Sequence, residues 1–115
     1  MNDKETLLNL IIAIVLESTA YERADGTMSV TKKDLLSLER KGDNVGMIRC
    51  ILCYCLLLVG FTKETMADLL GRKVDTINDM LMRDNVYKDT NFVYRVARKE
   101  AEGKCKALMK GEQHG

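Results

Sequence analysis

Nine side chains between Thr62 and Arg83 have the types and spacing to hydrogen-bond a polyanion and the edges of its bases. Lys63, Arg72, Lys73 and Arg83 supply cations for phosphates, and Thr62 opens a helix whose free amides can hold one more. Asp75, Thr76, Asn78 and Asp79 carry the complementary chemistry. An asparagine suits adenine, and an aspartate can accept from the amino group of cytosine. Placed on a helix, the outward side carries Lys73, Asp75, Thr76, Asn78, Asp79 and Met82. Two of these are aspartates that a phosphate backbone repels, so they need base contacts or flanking cations as an offset.

Other chemistries are poorly supplied. Cys50, Cys53 and Cys55 fall inside an apolar run ending at Val59, where thiols act as small hydrophobes, and Cys105 lies far downstream. Cys50 and Cys53 share a helix face, but no second ligand pair accompanies them. The expectation is therefore buried structural thiols in a reducing compartment, with no metal and no cofactor. The one histidine, His114, sits in a polar tail, no glycine-rich phosphate loop occurs, and no nucleophile has an evident base. The reading is not an enzyme.

The elements that must position the nine residues follow from the spacing of Ala67, Gly71 and Ile77. Two short helices that cross steeply need a small residue at the contact and an αL-tolerant residue at the turn. A β-branched residue then anchors the second helix. This is the pattern of a helix-turn-helix over residues 62–83, built to present the helix Val74–Arg83. Met66 and Leu70 pack the first helix, and Ile77, Met80 and Leu81 the second.

Around this unit the apolar pattern predicts helices. Glu5–Thr19 reads as a mostly buried first helix. A polar stretch with the turn signal Asp25-Gly26 leads to a short helix through Leu38, capped by Ser29 or Thr31 with Asp34 in its first turn. Val45–Val59 is apolar almost all round and must be central, with Gly60 as its stop. A last helix from about Thr90 to Lys110 carries Val93, Ala97, Ala101, Cys105, Leu108 and Met109 on its docking face, with Arg95, Arg98, Lys99, Lys106 and Lys110 on a solvated one. Residues 1–110 thus form one helical domain, and residues 111–115 a disordered tail.

The balance of the 115 residues fits this picture. With 46% apolar and 30% charged residues and no proline, the chain reads as a single all-α domain. The formal charge is only +1. Residues 1–59 hold seven Lys/Arg against eight Asp/Glu, and residues 60–110 hold eleven against eight. The small excess sits in the half with the predicted helix-turn-helix, which permits DNA binding without requiring it. The apolar run Leu7–Leu16 is too short to span a bilayer, so neither a membrane nor an export signal is expected and the chain reads as cytoplasmic.

With the helices placed, Val30–Met82 resembles the C-terminal DNA-binding domain of the bacterial replication initiator DnaA, a Trp-repressor-like fold. Val30-Thr-Lys-Lys-Asp-Leu-Leu-Ser37 is similar to the family's short helix before its basic loop. Arg49-Cys-Ile-Leu-Cys-Tyr-Cys-Leu56 is similar to the stretch in which an arginine opens the long central helix. The run from Gly60-Phe61-Thr62 through Gly71-Arg72-Lys73 is similar to its helix-turn-helix. The resemblance implies a Trp-repressor-like bundle of about six helices.

Departures set limits on that implication. The family signature glycine-arginine-aspartate-histidine-threonine-threonine is here Gly71-Arg72-Lys73-Val74-Asp75-Thr76. The family's minor-groove arginine falls at Met47, and its basic loop at the nearly neutral Glu39–Asn44. Recognition of the initiator's own site is therefore not expected, and the ATPase portion has no counterpart. The expected function is a small double-stranded-DNA-binding protein, a transcription or replication accessory factor. A homodimer is compatible with it, since one weakly basic module binds poorly alone. The alternative is the same fold without DNA binding, serving as a protein-interaction or dimerisation module.

Overall fold

The computed structural model describes residues 3–114 and is all-helical, with six helices: α1 Asp3–Thr19, α2 Lys32–Leu36, α3 Asp43–Leu58, α4 Lys63–Leu70, α5 Val74–Thr90 and α6 Phe92–His114. Helix α3 contacts each of the other five. Its sequence explains why: Val45, Ile48, Cys50, Ile51, Leu52, Cys53, Cys55 and Leu56 are all buried, so apolar surface on several sides needs cover. The cover comes from Leu8, Ile11, Ile12 and Val15 of α1, Leu35 of α2, Met66 and Ala67 of α4, Ile77 of α5 and Ala101 and Cys105 of α6.

Local chemistry sets the element ends. Thr31 accepts a hydrogen bond from the Asp34 amide while the Asp34 carboxylate accepts from the Thr31 amide, a reciprocal cap that starts α2. The Asp34 carboxyl is held below its ordinary range, chiefly by that bond from the Thr31 amide. Before it, the chain from Ala20 to Val30 doubles back through Asp25-Gly26, with one bridge between Glu22 and Met28. Gly26 has φ 87°, a conformation that a side chain would strain.

Beyond shifts of one or two residues at several helix ends, such as α2 closing at Leu36 and not Leu38, three features differ from the sequence expectation. Helix α5 does not stop at Arg83 but runs to Thr90, and Asn91 then breaks the chain. Asn91 also starts α6, its side-chain oxygen accepting from the Tyr94 amide at 3.0 Å. The inward face of α6 accordingly begins at Tyr94, leaving Val93 exposed. Finally, α6 continues through Gly111 to His114, past the helix end and into the tail expected to be disordered; Gly115 lies outside the described residues. No helix among the described residues is long and apolar enough to cross a membrane.

Candidate nucleic-acid interface

Helices α4 and α5 are joined by the three residues Gly71, Arg72 and Lys73. Thr62 caps α4, its hydroxyl accepting from the Thr65 amide at 3.1 Å. Gly71 ends the helix in the left-handed region at φ 65°, ψ 33°, where its own amide and that of Arg72 return to α4 carbonyls. A Cβ there would meet only Leu38 at 3.9 Å, so backbone conformation, and not space, calls for glycine. Ala67 and Ile77 are both buried beneath the turn.

The nine sequence-predicted residues are not brought to one place. Thr62 lines a separate hollow against the start of α1, with Leu7 and Phe61. Lys63 and Lys73 are exposed, the latter as the residue preceding α5, and Asp75 is exposed one residue into that helix. Asn78 is half-buried. The remaining four, Arg72, Thr76, Asp79 and Arg83, line one cleft of about 350 Å³. Asp79 already holds Arg83 at 2.9 Å, both more than half exposed to solvent.

The opposite wall of that cleft comes from the chain between α2 and α3, including Arg40, and from Asp43 and Arg49 of α3. Arg49 is only 7% exposed. Its Nε donates to the Leu35 carbonyl and its Nη2 to those of Asp34, Ser37 and Glu39. The orphan carbonyls at the end of the five-residue helix α2 are thus closed by one guanidinium. Arg72 donates to Ser37 as well, at 2.7 Å. Burial lowers the Arg49 pKa, and the nearby Arg72 charge lowers it further.

Arg49 was readable as unusual, since it is the only charged residue between Asn44 and Gly60. What the sequence concealed is that it ties the α2–α3 connection to the central helix, at the same Ser37 carbonyl that Arg72 reaches from the turn before α5. Arg40 and Tyr87 join the cleft for the same reason, since the pairing of these segments is a tertiary fact.

A second polar centre fixes α5 against α6. Asp84 is buried, and Arg98 grips it with Nε at 2.9 Å and Nη2 at 3.0 Å, while the Tyr94 hydroxyl donates to it at 2.6 Å. The Arg98 guanidinium also lies 3.6 Å from the centre of the Tyr54 ring. Arg98 therefore leaves the solvated face assigned to it from sequence; the cost of burying Asp84 alone requires a partner. Burial is the largest influence and lowers the Arg98 pKa, but its hydrogen bond to Asp84 and the nearby Asp84 and Glu102 charges together make the net shift upward. Burial, then Asp84, pushes the Tyr94 phenol up.

The four cysteines are free and buried. Burial pushes the Cys50 thiol up to about 11 and the Cys53 thiol to about 12. The Cys55 thiol rises chiefly through its hydrogen bond with Cys105. Cys50, Cys53 and Cys55 are thus held as neutral thiols, which are poor nucleophiles, while the hydrogen bond with Cys55 lowers the Cys105 pKa. Among the described residues no group of three or more His, Cys, Asp or Glu side chains is placed to hold a metal ion. Comparison with protein-family models, curated proteins and solved structures finds no match to this chain.

Proposed function

We propose that this protein binds double-stranded DNA through α5, with α4, Gly71 and α5 acting as a helix-turn-helix in a Trp-repressor-like bundle akin to the initiator's C-terminal domain. The role that goes with it is a cytoplasmic transcription or replication accessory factor, one that binds and does not catalyse. The observation carrying this reading is the outer face of α5. Ile77 is fully buried, while Lys73, Asp75, Asp79 and Arg83 are exposed beside the half-buried Thr76 and Asn78. A rigid helix that shows donors, acceptors and cations together is equipped to enter a major groove.

The test is binding to a random duplex pool as salt is raised. Three or four phosphate contacts give a log–log slope of about −3 to −4, each neutralised phosphate releasing roughly 0.9 of a counterion. Absence of salt-dependent binding at low ionic strength would sink the reading.

A second reading has its own observation. Met82 and Val86 are one turn apart on α5, 69% and 58% exposed, which favours a protein partner or a second copy of the chain over solvent. A sedimentation run on Met82→Lys separates the two. A dimer that becomes monomeric while duplex binding is unchanged assigns this face to association alone.

A further inference from the structure

The cleft between α5 and the α2–α3 connection holds four guanidiniums, those of Arg40, Arg49, Arg72 and Arg83, against two carboxylates, those of Asp43 and Asp79. Excess positive charge in a concave site is unfavourable by itself. Here Arg49 and Arg72 lie close enough for the Arg72 charge to depress the Arg49 pKa. Both are held in place by the Ser37 carbonyl, so neither can swing away without breaking bonds. Arg49 spends Nε and Nη2 on carbonyls, and none of those bonds uses Nη1.

The start of α3 faces the same space. Gly42 precedes the helix with φ 96° and no side-chain cap, and Gly42, Asp43 and Gly46 line the cleft. The amides of a 16-residue helix add positive potential to that of the arginines. The opposing carboxylates are weak competitors: Asp79 and Arg83 form an exposed pair, and Asp43 sits 3.8 Å from an exposed Arg40. Leu38, Met80 and Tyr87 complete the lining with apolar surface. At about 350 Å³ the space falls within the range of small-molecule sites, roughly 300–1,000 Å³.

We propose that this cleft binds a small phosphorylated molecule, its phosphate held by Arg72, Arg83 and the start of α3 and its remainder packed on Leu38, Met80 and Tyr87. Arg72, Thr76, Asp79 and Arg83 also belong to the proposed DNA-facing set, so occupancy excludes duplex from that half of α5. The site itself does not depend on the DNA reading.

The experiment is calorimetric titration at low ionic strength with inorganic pyrophosphate, adenosine monophosphate and unphosphorylated adenosine, without nucleic acid. Both phosphates bind and compete with each other, while adenosine does not bind measurably. Arg83→Gln, an exposed position, weakens binding about tenfold through loss of a charge-assisted contact. Lys99→Gln, exposed on α6 and outside the cleft, changes nothing. Equal losses from the two variants, or no heat with either phosphate, overturn the proposal. A duplex that binds while pyrophosphate does not overturns the small-ligand site and leaves the proposed function standing.

Discussion

Arg49 and Arg72 place their Nη2 atoms on the same carbonyl oxygen, that of Ser37, each at 2.7 Å. One residue comes from the central helix and the other from the turn before α5, so a single carbonyl joins the α2–α3 connection to the proposed DNA-facing helix. Arg49→Met keeps an unbranched apolar stem and removes the bonds to four carbonyls. The expected loss is about 3 kcal/mol of stability, since buried acceptors are left unpaired. Arg72→Ala removes one such bond, costs about 1 kcal/mol, and reduces the salt slope of duplex binding by about one. Denaturant midpoints check the first two figures; equal effects of the two changes would refute the asymmetry.

Asp84 and Asp79 lie on the same helix in opposite electrostatic settings. Removing the partner of a buried cation is expensive, and Asp84→Ala is expected to cost about 3–5 kcal/mol. Asp79→Ala breaks an exposed pair and should stay within about 1 kcal/mol. Thermal melts of the two variants side by side test the contrast.

Asp79→Ala also frees Arg83. If Asp79 only repels phosphate, binding to every duplex tightens. If it reads cytosine, the selected site weakens while non-specific binding rises. Asn78→Ala should leave the salt slope unchanged and relax preference at one base pair by about 1–3 kcal/mol. A binding screen over single-base variants reads both effects.

Ala67 is buried where α4 meets the rest of the bundle. Ala67→Leu overpacks that contact and should cost about 1–3 kcal/mol. An unchanged melting temperature would show that the site has room.

Alkaline pH should unfold the protein through its thiols. Cys50 and Cys53 ionise near 9.0 when exposed but at about 11 and about 12 when folded. The unfolded chain therefore loses protons first, and stability that is intact below pH 9 falls as pH rises towards the folded values. The slope is about 1.4 kcal/mol per pH unit for each thiol. Denaturation curves collected across pH 8–11 should show it, and Cys53→Ala should flatten it. The same burial makes both thiols slow towards a thiol reagent in the native state.

The helices were legible in the sequence because apolar spacing and terminal chemistry are local. The run Val45–Val59 announced a helix apolar almost all round, Ser29 or Thr31 ahead of Asp34 announced a cap, and Gly71 marked a chain reversal. Asn91 ends one helix and starts the next, and the continuation of α5 past Arg83 was hidden because its buried anchor, Asp84, is a charged residue type that gives no apolar signal. Only Tyr94 and Arg98, arriving from α6, make Asp84 tolerable inside. The candidate site divides in the same way. Side-chain types on α5 followed from the sequence, but the cleft that collects Arg72, Thr76, Asp79 and Arg83 with Arg40 and Arg49 did not. Its two walls are distant in sequence, and the carbonyls that draw Arg49 and Arg72 together are backbone groups without any residue signature.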